Sequence, residues 1–200
     1  MHIPVVVAWI LTGAFLLLSV PCLSRLVRLD YPRLGSGLRQ VDLAGLLMAL
    51  AMVAMASPVG APVPTAGWQA LFLLTGAWFL AAALWRRAPA WQGVCRRCHL
   101  HHAVASLGML YMLAAMPHDE AGHGPWPAMS TADASVTLAW PVVAALAAVY
   151  FAVDGTHSAV RAFRAARTDG MATMPAGFAS RTVCRTVMGL GMGYMFATGL

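Results

Sequence analysis

The chain has 200 residues, 60% of them hydrophobic and 10% charged, with a mean hydropathy of +0.71. A soluble domain carries about 25% charged residues, so this chain cannot clothe a water-facing surface and reads as an integral membrane protein. Its net charge of +6 comes from thirteen arginines without a single lysine, in short clusters between apolar runs; that pattern is a topology signal and excludes a nucleic-acid-binding reading.

Taken in chain order, six apolar segments are long enough to cross hydrocarbon as helices, at about residues 3–23, 41–57, 68–85, 100–116, 136–153 and 182–200. The N-terminal segment lacks a positive leader, so a span is expected there and not a cleavable signal peptide. No alternation of apolar and polar residues supports a closed barrel. The expected fold is all-α: one domain over residues 1–200, a polytopic bundle of six transmembrane helices.

The intervening loops alternate in charge. The first carries Arg25, Arg28, Arg33 and Arg39, the third Arg86, Arg87, Arg96 and Arg97, and the fifth Arg161, Arg164, Arg167 and Arg181. The second has no charge, and the fourth has no arginine. The positive-inside rule then puts odd loops in the cytoplasm and both termini outside, in a bacterial cytoplasmic membrane. Trp68, Trp85, Trp91 and Trp126 fall at the expected interfaces. Cys22, Cys95, Cys98 and Cys184 all fall at the cytoplasmic side, where thiols stay reduced, so no disulfide is expected.

The stretch CRRCHLHH, Cys95 to His102, matches C-x-x-C-H, the attachment signature of c-type haem. Covalent haem is attached outside a bacterial membrane and this motif is expected inside, so haem is set aside. Two readings stand: a soft-metal site using Cys95, Cys98 and His99 with His101 or His102, or a basic helix start with incidental thiols.

A repeat marks the even-numbered spans. The second contains Met48, Met52 and Met55, the fourth Met109, Met112 and Met116, and the sixth Met188, Met192 and Met195. Spacings of three, four and seven place each triad on one helical face. His102 lies seven residues before Met109, and Cys184 four before Met188, so each shares its triad's face. Asp42, six before Met48, is not assigned to the stripe. Gly189 and Gly193 form a G-x-x-x-G packing motif among other small residues, expected to let these helices approach closely. Thioether sulfur is soft, uncharged and needs no deprotonation, which suits Cu(I) inside a bilayer that disfavours charged ligands. Methionine is equally a flexible filler of packed cores. In the fourth loop His118 and His123, with Asp119 and Glu120, offer an outer collecting point for metal; a solvated loop is the plainer reading. Asp154 with His157 and Arg161 close behind reads as an interfacial ion pair. The basic fifth loop, Thr156 to Arg181, suits the anionic inner leaflet.

The segments LLMALAMVAM, HHAVASLGMLYM and VMGLGMGYM, with FLLTGAWFLAAAL in the third span, give the chain a family likeness. It resembles small actinobacterial integral-membrane proteins known only as a domain of unknown function. The resemblance implies a His-bearing second helix with Met repeats, and it supplies no activity. Where that family places a His early in the second helix, this chain has Asp42, Leu43 and Ala44, so a metal site relying on that His would be altered here. A looser analogy, without homology, links M-x-x-x-M and G-x-x-x-G helices to eukaryotic copper transporters.

There is no phosphate-cradling glycine loop, no H-E-x-x-H and no nucleophile–base–acid set, so an enzyme is not expected. The expected function is Cu(I) handling through the methionines of the second, fourth and sixth spans. The alternative is a non-catalytic accessory subunit of a larger, respiratory-type membrane complex, with the Met faces as packing. A structural or regulatory membrane protein without metal is the third reading. The expected partners are the lipid bilayer and either further copies of the chain or such a complex, with no nucleic acid.

Overall fold

The computed structural model describes residues 5–57, 64–85, 94, 96–115, 140–168 and 177–198. Among these residues the fold is all-helical, with seven helices: α1 Val5–Arg28, α2 Tyr31–Leu34, α3 Ser36–Ala56, α4 Thr65–Leu84, α5 Arg96–Ala115, α6 Pro141–Thr168 and α7 Phe178–Thr198.

Each expected span has its helix, and the ends move for local reasons. α1 continues through Pro21 to Arg28, because the arginines of its last turn complement the negative end of the helix dipole. α2 ends at Gly35, whose φ of 98° turns the chain directly into α3. α5 begins at Arg96, so most of CRRCHLHH forms the first turns of a helix. α6 runs to Thr168, well past the expected end near residue 153. Arg161 and Arg164 of the supposed fifth loop therefore stand on a helix, whose Ala- and Arg-rich sequence continues it without a breaker.

Four helices are long and apolar enough to cross a membrane: α1, α3 from Gly37, α4, and α6 as far as Arg164. Their outward faces are bare. Leu17, Leu74 and Val142 are 73%, 68% and 70% exposed, an apolar surface that suits lipid and would be costly in water. These features indicate a membrane protein. α5 and α7 are less apolar because their inner faces carry polar groups.

The helices pack closest as pairs: α1 with α3, α4 with α5, and α6 with α7. α3 also touches α5 and α7, which makes it the hub. The G-x-x-x-G face of α7 serves the α6 pair. A Cβ on Gly189 would stand 3.1 Å from the Gly155 Cα, and one on Gly193 would stand 3.3 Å from the Ala148 carbonyl oxygen. The motif thus brings backbones together as such motifs do, against α6 and not between the Met-bearing helices as the sequence suggested.

Candidate functional site

The three Met triads meet inside one chain. Met48, Met52 and Met55 of α3, Met109 and Met112 of α5, and Met188, Met192 and Met195 of α7 are all buried in a single core cluster. Met116 lies outside the described residues. The stripes interlock through glycines. The Met52 methyl lies 2.9 Å from where a Cβ on Gly191 would be, and the Met192 methyl 3.3 Å from one on Gly108. α3 therefore reaches into α7, and α7 into α5, across positions where no side chain stands between them.

At one end of this core the last turn of α1 meets the first turns of α3, α5 and α7, and their polar residues converge. Asp42, 1% exposed, is the centre. It accepts from Arg25 Nε at 3.0 Å, from Arg181 Nε at 3.0 Å and Nη2 at 2.7 Å, and from the Tyr31 hydroxyl at 2.8 Å. Burial first, then donation to the Asp42 carboxylate, push Tyr31 up to about 12. Arg25 uses its other nitrogens on Ser180 Oγ at 3.0 Å, Cys22 Sγ at 3.3 Å and Cys184 Sγ at 3.6 Å. Gly177 has a φ of 77°, and a Cβ there would meet Arg25 Cδ at 3.1 Å; glycine alone suits both the turn and the contact.

A second ion pair stands beside the first. Arg185 grips Asp154 through two bonds, of 2.9 and 2.6 Å. His101 Nδ1 lies 3.5 Å from the same carboxylate and 3.1 Å from the Tyr150 hydroxyl. Asp154 does form an ion pair, as expected, but with α7 and not with the Arg161 one helical stretch onward.

Between these groups and the methionines lies a cavity of about 440 Å³. Its polar end is formed by Arg25, Asp42, Arg181 and Arg185 with His101 and His102; Cys184 lines it, and Met48, Met188 and Met192 form its apolar end. Met52 and Met109 lie beyond, in the closed core. His102 stacks on Phe79 at 5.0 Å, and its Nδ1 is buried without a hydrogen-bond partner. An unpartnered imidazole nitrogen at a cavity wall can donate or accept according to its tautomer.

The CRRCHLHH motif divides. Cys98, His101 and His102 line the cavity, whereas His99 packs 5.8 Å from Phe79 with both ring nitrogens unpartnered. Cys98 is disulfide-bonded, which corrects the expectation of reduced thiols throughout. Compartment reasoning speaks to where thiols stay reduced and not to which sulfurs stand close in the fold, and a disulfide sulfur is not a thiolate ligand. Cys95, His118 and His123 lie outside the described residues. Among the described residues no three His, Cys, Asp or Glu side chains gather where they could hold a metal ion.

The sequence reading overlooked Cys22, Arg25, Tyr31, Asp42 and Arg181. Two signals were present. Asp42 is a lone carboxylate in an apolar span, a placement that calls for a named partner. Cys22 and Arg25, and again Arg181 and Cys184, stand three apart on their helices, which puts each thiol beside a guanidinium on one face.

The fold and the site together define a helical membrane protein with a thioether core capped by a buried Arg–Asp–Arg cluster. The chain belongs to the family described as Domain of unknown function (DUF5134), whose model matches residues 37–199. The resemblance read from the Met helices thus holds. Uncharacterized proteins of Mycobacterium bovis and of two Mycobacterium tuberculosis strains are 34% identical to it over 112 residues. The match covers 54% of this chain and 49% of each relative, so the chain spans about half the length of the relatives it matches. No solved structure matches it.

Proposed function

We propose that the chain is a six-span protein of the bacterial cytoplasmic membrane, with both termini outside, that binds or relays Cu(I). In this reading it is not an enzyme. The observation that carries the proposal is the convergence of Met48, Met52, Met109, Met188 and Met192, from three separate helices, behind a cavity walled by His102 and Cys184. Packing alone asks for volume and apolarity, which leucine supplies with better-defined rotamers. Thioethers from three helices, an orphaned imidazole nitrogen and a thiol add soft donors without adding buried charge, the combination Cu(I) favours.

With odd loops inside, the arginine-rich end of the bundle faces the cytosol.

The test is copper content by mass spectrometry, on protein loaded with Cu(I) under reducing conditions in detergent. The control carries Met52→Leu, Met109→Leu and Met192→Leu. Leucine matches methionine in volume, so each substitution costs under about 1.5 kcal/mol and the fold persists. Copper near one or more per chain in the parent, lost in the variant, is the expected result. Equal, near-zero copper in both makes the methionines packing and leaves the accessory-subunit reading in its place.

A further inference from the structure

Cys22 of α1 and Cys184 of α7 stand 162 residues apart in sequence, yet their sulfurs are 3.5 Å apart. Both are free thiols, 0% and 5% exposed. A disulfide bond is about 2.05 Å long, so an approach of about 1.5 Å would join them. Arg25 donates to both sulfurs, from Nη2 to Cys22 at 3.3 Å and from Nη1 to Cys184 at 3.6 Å. Its Nε is bonded to Asp42, which holds the guanidinium in place. A neutral thiol is a weak acceptor. A guanidinium held against sulfur suits a thiolate, the form that attacks a disulfide.

An oxidised counterpart faces the same space. Cys98 is disulfide-bonded, and it lines the cavity of about 440 Å³ that Cys184 also lines. α5 begins at Arg96, so Cys98 lies in the first turn of its helix, the part that opens most readily. The two thiols are not equivalent. Cys184 reaches the cavity wall, whereas Cys22 does not line the cavity and is fully buried. Cys184 is therefore placed to attack and Cys22 to resolve. In the orientation proposed above this end faces the cytosol, where a disulfide is as a rule a transient, exchanging one.

We infer that Cys22 and Cys184 form a redox-active dithiol that exchanges with the Cys98 disulfide across the cavity. The Cys184 thiolate attacks the Cys98 disulfide, forming a mixed disulfide and releasing one sulfur as a thiol. Cys22 then attacks Cys184, forming the Cys22–Cys184 bond and releasing the second sulfur. The dithiol gives up two electrons and two protons, and the Cys98 disulfide takes up both. The inference goes beyond copper handling and uses only the proposed orientation from that reading.

The test uses the full-length protein in detergent, free of metal and equilibrated anaerobically in glutathione buffers from reduced to oxidised. After an acid quench, free thiols are blocked with N-ethylmaleimide and the unreduced digest is read by peptide mass spectrometry. The expected result in the parent is a peptide pair joined through Cys22 and Cys184. In Cys22→Ser and Cys22→Ala alike the resolving thiol is gone. A mixed disulfide of Cys184 with Cys98, or with the sulfur that Cys98 had bridged, should then accumulate at least tenfold above its level in the parent. Cys184→Ser should trap no such species through Cys22. A parent in which Cys22 and Cys184 are both maleimide-blocked in every buffer overturns the inference, with no variant required to fold. A Cys22–Cys184 bond in the parent with no trapped species in either Cys22 variant overturns the exchange with Cys98. No copper enters the assay, so its failure leaves the methionine reading standing, and a failed copper measurement leaves this one standing.

Discussion

Asp42 is the residue on which the buried cluster turns, and Asp42→Ala is the sharpest perturbation of it. The carboxylate is 1% exposed and takes four hydrogen bonds from Arg25, Arg181 and Tyr31. Arg25 is itself only 6% exposed. Removing the carboxylate takes away the group that both guanidiniums grip, and breaking a buried pair from one side costs about 3–5 kcal/mol. In a chain of this size each kcal/mol moves the midpoint by about 2–4 °C, so a drop of roughly 10 °C is expected. The assay is thermal unfolding in detergent, followed by circular dichroism. The triple variant Asp42→Leu, Arg25→Met, Arg181→Met removes every charge together and should recover at least about half of the loss, because apolar replacements of a buried ion cluster are often close to neutral. A shift below about 3 °C for Asp42→Ala, or no recovery in the triple variant, would refute the view that this one carboxylate holds both arginines in the buried cluster.

Tyr31, pushed up to about 12, gives the cluster a pH dependence. Its folded value lies above the ordinary value of 10.0, so the folded state holds the proton longer than the unfolded one. The associated stability is complete below about pH 10 and is lost as pH rises toward about 12. The loss is on the order of 2 kcal/mol, and Tyr31→Phe should flatten the fall in midpoint over that window. Gly191→Ala should destabilise by about 1–3 kcal/mol through overpacking, because its Cβ would press on Phe15 and the Met52 methyl. Gly13→Ala meets nothing within 4 Å and should stabilise by up to about 1 kcal/mol through helix propensity; thermal midpoints of the two variants check the contrast.

Much of the architecture was legible because it follows from local composition. Apolar runs of sufficient length become helices, since hydrocarbon tolerates no unpaired backbone, and period-3.6 spacing places Met48 with Met52 and Met55 whatever the partner is. The extents of α5 and α6 were less legible, because a basic stretch such as CRRCHLHH or VRAFRAART reads as loop by charge and as helix by propensity.

The sequence by itself determined that the chain is helical and membrane-like, and that methionine lines one face of each of three helices. Only the tertiary structure decided that those faces meet, because interlocking depends on where Gly108 and Gly191 leave room and on G-x-x-x-G being taken by α6. It alone decided the charge pairing as well. Asp42 bonds Arg181, 139 residues away, and Cys22 lies against Cys184, 162 residues away. No local periodicity encodes such a pairing: it arises because α1 ends where α3 and α7 begin, and a buried charge in that corner is stable only with its counter-charges beside it.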